Sequence, residues 1–360
     1  MAAEKQRKLQ PVVLTGSGVL SRDIPKDTVI KRIQLRLKGS ITTTFASGTP
    51  VSRADGIFNS LVNSVQVVIN GGRFVKNVIP HLARMQQFFN TGIMAERGSS
   101  AAATEAYLPT VSSGFTFGTT TQLTTVAESI SIPFEFIWAK LESERALTWL
   151  DTRAVSSAEI RFVQNPYSSL QSAANTAPVV YSASTLQIDI TLVEAVGVPT
   201  GTAFMDFRQT TKDLQFTAQV AQSQVEINRS NSLAGLWFYA KDGAAGSSTT
   251  ATDRLASNSL VTNLSLKVNG SVDLKSTDFV NLQSENRARY GINAPYASDV
   301  SAIDGVAHMN FINNSIGDAI NTKGVDSLYL FVDTNSTTYT SYTNPAILTI
   351  QTDEIAQISQ

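Results

Sequence analysis

Hydrophobic and polar side chains alternate one for one along much of this chain. In "KRIQLRLKG", Ile33, Leu35 and Leu37 share one face, while Arg32, Gln34, Arg36 and Lys38 share the other. "SVQVVING" repeats the pattern with Val65, Val67 and Ile69, "ESISIPFEF" with Ile130, Ile132, Phe134 and Phe136, and "TLQIDITLV" with Leu186, Ile188, Ile190 and Leu192. It returns in "LQFTAQVA" (Leu214, Phe216, Ala218, Val220), "NLSLKVNG" (Leu264, Leu266, Val268) and "SLYLFVD" (Leu328, Leu330, Val332). A period of two over such lengths predicts antiparallel strands with one face packed and the other polar. Pairs of sheets bury those apolar faces.

Helical spacing is scarce. "VIPHLARMQQFFNTG" places Val78, Leu82, Met85 and Phe89 on one stripe, with Gly92 as the stop. "STDFVNLQSENRARYG" offers Thr277 or Asp278 as a cap and Gly291 as a stop, and "AKLESERALTWL" is a third, short candidate. Residues 97–126, 165–184, 243–258 and 293–305 are rich in Ser, Thr, Ala and Gly and read as long loops.

The chain also repeats itself. "SLVNSVQVVING" at 60–71 and "SLVTNLSLKVNG" at 259–270 agree at five of twelve positions, and their mismatches keep the inward face apolar. The same offset of 199 aligns Lys76 with Lys275, Gly92 with Gly291 and Ile93 with Ile292. Upstream, an offset of 203 pairs Ile30 with Leu233, Ile33 with Leu236, Leu35 with Phe238 and Lys38 with Lys241. Downstream, Leu150-Asp151-Thr152-Arg153 matches Ile320-Asn321-Thr322-Lys323, each before a strand. A unit of this size is too long for a solenoid repeat and reads as a duplicated domain. The expected fold is therefore all-β: two tandem eight-stranded jelly-roll sandwiches with a few short helices. The expected division is a basic amino-terminal arm (1–22), a first jelly roll (23–198), a linker (199–211) that begins in "VGVPTGTAF", and a second jelly roll (212–360).

Composition sharpens this picture. A length of 360 residues with 42% hydrophobic side chains suits two cores, whereas 16% charged residues is low and implies a surface that meets protein as much as water. Residues 1–38 hold nine basic and three acidic groups, +6; the other 19 basic and 26 acidic groups give −7. A basic end on an acidic body suggests contact with something anionic, against the plainer reading of a solvated terminus. Cysteine is absent, so disulfides, thiolate nucleophiles and cysteine-held metals are excluded. No leader and no run of about eighteen apolar residues is visible.

"DIPKDTVIKRIQLRLKGSIT", "DGIFNSLVNSVQVVINGG" with the helix after it, and "WLDTR" give the chain a family resemblance. It resembles the double jelly-roll major capsid proteins of tailless icosahedral viruses, the lineage of adenovirus hexon, tectiviruses and corticoviruses, and most of all the smaller phage members. The resemblance implies a non-enzymatic structural protein without cofactor. Three copies would form a homotrimer of six barrels, a pseudo-hexameric capsomer, meeting neighbouring capsomers and penton and minor capsid proteins in the virion shell after assembly in the host cytoplasm. It also implies an inner-facing amino-terminal segment, on which Lys5, Arg7 and Lys8 would face an inner lipid membrane. So small a basic cluster argues against specific nucleic-acid binding.

Catalytic signals are thin. His81 and His308 are the only histidines and lie in no ligand-spaced cluster; His81 reads as a partly buried helix residue and His308 as an edge or loop residue before "MNFI". No Gly-x-Ser-x-Gly elbow and no phosphate loop occurs. The enzymatic rival is a two-jelly-roll glycan hydrolase using two of Glu135, Glu142, Glu144 and Asp151. Glu142 and Glu144, however, sit beside Lys140 and Arg145, and Glu135 should point outward between Phe134 and Phe136. A carbohydrate-binding sandwich would need exposed aromatics, whereas Trp138, Trp149 and Trp237 lie in apolar patterns and read as core. No loop has the dense acidic spacing of a dedicated calcium site, so no metal ligands are expected.

Overall fold

Strands account for most of the regular structure, in two runs along the chain. In the computed structural model the described residues are 3–45, 57–92, 97–100, 121–171, 179–182, 185–242, 256–292, 305–335 and 345–357. The first run contains β1 (Ala3–Lys8), β2 (Val12–Val13), β3 (Val19–Asp23), β4 (Val29–Phe45), β5 (Val62–Ile69) and β6 (Arg73–Val78). It continues with β7 (Arg97–Ser100), β8 (Thr121–Pro133), β9 (Leu150–Asp151), β10 (Ala158–Gln164), β11 (Val179–Ser182) and β12 (Gln187–Val196). Helices α1 (Ile57–Leu61), α2 (Pro80–Thr91) and α3 (Glu142–Arg145) interrupt it. One sheet runs β1-β12-β4-β8-β7, and the facing one runs β6-β5-β10-β3. Between them, Ile33 and Leu35 of β4 and Ile188 and Ile190 of β12 meet Val65 and Val67 of β5 and Ile160 and Phe162 of β10 in one core.

The second run contains β13 (Met205–Phe216), β14 (Ser223–Glu226), β15 (Ser232–Lys241), β16 (Val261–Val268) and β17 (Val272–Asp278). After α4 (Phe279–Tyr290) come β18 (Val306–Asn310), β19 (Ile320–Asn321), β20 (Leu328–Thr334) and β21 (Ala346–Gln357). Sheet β18-β15-β21-β13 faces sheet β14-β20-β16-β17 across a second core that includes Leu236, Phe238, Leu348, Ile350, Leu264 and Leu330. A single parallel bridge, Gln209 to Lys76, joins β13 to β6, so one sheet runs on from the first unit into the second.

The duplication reaches down to single hydrogen bonds. The β5–β6 turn places Asn70 and Gly71 at φ 51° and 77°, and the β16–β17 turn places Asn269 and Gly270 at 52° and 72°. Positive φ at both central residues is the geometry Asn-Gly accommodates at least cost. Asn70 N–H donates to the Ser157 carbonyl and Asn269 N–H to that of Ser327, and both asparagine side chains accept backbone N–H groups from the same returning segment. Helices α2 and α4 both end on a left-handed glycine, Gly92 and Gly291, as their sequences predict. Asp278 is the residue before α4, although its side chain caps no backbone N–H. The third candidate forms α3 and a 3₁₀ turn over 146–148.

Four expectations change. Residues 3–23 are not a free arm: β1 and β2 pair with β12, and β3 pairs with β10. Residues 205–211 are not linker but the start of β13, which pairs with β21 along its whole length. Strand β8 ends at Pro133, so Phe134 enters the first core while Phe136 turns into a separate cluster. Alternation in "LQFTAQVA" stops structurally at Phe216, and Ala218 is exposed. Of the four long loops, residues 101–120, 172–178, 183–184, 243–255 and 293–304 lie outside the described residues.

Candidate functional site: the seam between the two units

With no catalytic constellation in the sequence, the most elaborate chemistry lies where the units meet. Helix α2 of the first unit lies on the outer face of the second unit's β15. Leu82, Met85 and Phe89 pack there against Trp237, Tyr239, Phe207 and Ile355, together with Phe136 and Trp138 from the chain after β8. The Phe89 and Trp237 rings stand 5.0 Å apart, and His81 stacks on Tyr239 at 4.2 Å. The sequence explains the seat: where β4 reads "KRIQLRL", the aligned β15 reads "AGLWFYA", so β15 is buried on both faces.

Inside this apolar seam runs a polar chain. Lys76, fully buried, donates from Nζ to Gln209 Oε1 at 3.0 Å and lies 3.6 Å from the centre of the Phe207 ring. Gln209 Nε2 donates to Gln86 Oε1 (3.2 Å) and to Asp353 Oδ1 (2.9 Å). Asp353 also accepts from Gln351 Nε2 at Oδ1, and from the indoles of Trp138 and Trp237 at Oδ2 at 3.3 and 3.1 Å. Burial pushes Lys76 well down from its ordinary pKa and Asp353 up, and each opposes the shift in the other. Four N–H donors on one carboxyl group suit its ionised form. One carboxylate thus holds a tryptophan from each unit. A second clasp lies nearby: Glu144 accepts from Ser315 Oγ (2.9 Å) and Ile316 N–H (3.1 Å), and Lys140 N–H donates to the Asn314 carbonyl.

His308 corrects the sequence reading. It sits within β18, fully buried, stacked 4.0 Å from Trp237, with the Trp138 ring tilted against it at 4.9 Å. The Tyr290 hydroxyl lies 2.8 Å from His308 Nδ1 and accepts from Asn310 Nδ2. Burial holds His308 well below the usual histidine range, with Arg289 and Lys275 adding to the effect. Gly235 lies directly beneath the ring, where a Cβ would come 2.6 Å from Nε2. His81 is half-buried, as expected, and all three tryptophans are buried.

Lys5, Arg7 and Lys8 are not gathered into one patch. Alternation along β1 sends Lys5 and Arg7 to one face and Lys8 to the other. Arg7 is taken by a bidentate pair with Asp27 (2.9 and 3.2 Å) and by Glu194 at 2.8 Å, and its pKa is raised by those partners. Lys5 and Lys8 are exposed. The hydrolase carboxylates are dispersed as well: Glu135 pairs with Arg32, Asp151 with Arg153, Glu144 serves the clasp, and Glu142 is exposed. Among the described residues no group of three or more His, Asp or Glu could hold a metal ion. Sequence reasoning did not find Lys76, Gln209 and Asp353 as a unit, because nothing local marks a lysine or an aspartate as buried. The two-sided apolar run of β15 was the available signal.

No family model and no curated protein matches the sequence. Solved structures do. The major capsid protein of Sulfolobus turreted icosahedral virus aligns over 99% of this chain and 97% of its own, with a TM-score of 0.64 at 14% identity. The major capsid protein P2 of bacteriophage PM2 aligns over 99% of both chains at TM-score 0.55 and 9% identity, and a capsid chain of the PBCV-1 virus over 99% and 94% at 0.54 and 10%. Both jelly rolls and the seam between them fall within these alignments, and the chain has the double jelly-roll fold of icosahedral-virus major capsid proteins.

Proposed function

We propose that the chain is a structural, non-enzymatic subunit of a viral shell: a major capsid protein that associates in threes and tiles an icosahedral surface. The observation that carries the reading is a likeness to viral capsid proteins over the full length, both units included, rather than over one jelly roll. The seam supports it. It joins two similar barrels through a packed, hydrogen-bonded contact, so three copies supply six similar flanks for a pseudo-hexameric capsomer. A surface low in charge suits flanks that bury against neighbouring capsomers and against penton and minor capsid proteins. Its place is then the virion shell. The spread of Lys5, Arg7 and Lys8 over two faces does not favour an inner lipid contact, and none is assigned.

Light scattering of the purified chain across a dilution series tests this. A species near three times 38.7 kDa that persists on dilution is expected, followed by shells under the electron microscope on concentration. A monomer at every concentration would overturn the reading.

A further inference from the structure

The contact that joins the two units inside the chain has a second, unused copy. Within the chain, the β6 edge and α2 of the first unit meet the β13 edge and β15 face of the second. The duplicates of these surfaces are the β17 edge and α4 on the second unit, and the β1 edge and β4 face on the first. Strands β1 and β17 both end their sheets among the described residues.

The equivalence of β1 and β13 rests on register. Lys5 lies opposite Glu194 and Ile30 lies opposite Glu194; Arg208 lies opposite Glu354 and Leu233 lies opposite Glu354. Both pairings therefore step by the 203 residues read from the sequence, and both sheets carry a bulge at that point, between Val193 and Glu194 and between Leu233 and Gly235. Gln6 is thus the counterpart of Gln209, Glu4 of Phe207 and Ala3 of Asp206.

We infer that a second copy of this chain docks its β1 edge and β4 face onto the β17 edge and α4 of the first, in the register of the internal contact, with Gln6 beside Lys275. This rests on the trimer reading and names the faces that form it.

Three sets of positions agree. Internally, Lys76 donates to Gln209, which donates to Gln86. The duplicate set is Lys275, Gln6 and Glu285, in which a glutamine can again accept from the lysine and donate to the acidic oxygen; Lys275 and Glu285 already pair across β17 and α4. Internally, Arg73 pairs with Asp206; the duplicate positions hold Val272 and Ala3, apolar on both sides, and Val272 is 57% exposed in the single chain. Internally, Leu82, Met85 and Phe89 enter an aromatic seat; the duplicate stripe on α4 is Asn281, Ser284 and Ala288, all exposed. Its seat is a cleft of about 650 Å³ whose lining includes Gln34, Arg36, Ser131 and the Lys38–Asp189 ion pair, and the counterparts of Gln34, Arg36 and Ser131 on the second unit are Trp237, Tyr239 and His308 beneath α2. A polar stripe thus meets a polar cleft. The first set keeps its lysine and glutamine, and in the other two both sides have changed together.

The absence of cysteine makes a direct test simple. The full chain carrying Gln6→Cys and Lys275→Cys together should give, on mild oxidation, covalent species of two and three chain masses on a non-reducing gel. Either single variant, or Lys275→Cys with Val180→Cys on another face, should stay at one. Independently, Glu285→Lys, an exposed change, should cut the trimer fraction at least tenfold in light scattering, and adding Gln6→Glu should restore it. Trimers that form without the cross-link and survive Glu285→Lys would overturn this docking while leaving the capsid reading intact. A double-cysteine chain that is monomeric before oxidation, like the unmodified chain, would overturn both.

Discussion

Strands β4 and β15 occupy the same place in the two units, yet their outer faces are dressed for different surroundings. On β4 the outward residues are Arg32, Gln34, Arg36 and Lys38; on β15 they are Gly235, Trp237, Tyr239 and Lys241. The inward residues Ile33, Leu35 and Leu37 match Leu236, Phe238 and Ala240 in role, and all six are buried. Duplication thus kept what the fold needs and changed what the neighbour dictates. A face permanently covered within the chain can be dry and aromatic. A face exposed until another chain arrives must remain polar, because an apolar patch of that size would associate without specificity. The same contrast holds for the aligned lysines: Lys76 is buried against Phe207, while Lys275 lies at the surface beside Glu285.

The sharpest break in the comparison is at Asp353, whose aligned residue in the first unit is Val193. Asp353→Ala strands Lys76 without its counter-charge and leaves two indole N–H groups and two amide donors unpaired, so chemical denaturation should report a loss of about 3–5 kcal/mol. Next comes the helix stripe. Phe89→Ala empties a space against Trp237 and Tyr290 and should cost about 3 kcal/mol. The aligned Ala288→Ser is exposed and should stay within about 0.5 kcal/mol. Equal losses at the two positions would mean that the seam is not what separates the units' environments.

The turns supply the matching test of sameness. Asn70→Ala and Asn269→Ala each force an alanine into a positive φ and remove backbone contacts to the returning segment. Each should cost about 1–2 kcal/mol, and the two losses should agree. A large disparity would show that the turn has a different task in each unit.

How much of this was legible in the chain depends on whether a feature is local. Period-two alternation placed β4, β5, β12, β16 and β20, because a strand with one wet face writes that fact into every second residue. Asn-Gly and Gly-Ile placed the turns and helix ends, since their backbone geometry is chosen by the residue itself. The amino-terminal strands were hidden by charge: Lys5, Arg7 and Lys8 look like a solvated arm, but Arg7 is held by Asp27 and Glu194, and Glu4 by Lys31, all distant in sequence. The seam was hidden for the same reason. A buried lysine and a buried aspartate are identified only by what surrounds them, and "WFYA" reads as core without saying whose.

The smallest effect concerns acid. His308 is held neutral by burial among Trp138, Trp237 and Tyr290, with Arg289 and Lys275 opposing its charge, so the unfolded chain binds a proton near pH 6.5 that the folded chain does not. Stability from this group is complete above that pH and declines below it, by at most about 1.4 kcal/mol per pH unit. Burial shifts Asp353 upward, with the opposite sign, but Asp353 is common to wild type and variant. Comparing denaturation curves for wild type and His308→Phe between pH 6.5 and 5 isolates the histidine: the wild-type stability should fall more steeply. The aligned residue in the first unit is Ser131, which does not titrate, so any acid sensitivity from this position belongs to the covered face alone. Parallel curves would place His308 in contact with water in the folded chain, and with it the dryness of the seam would fail.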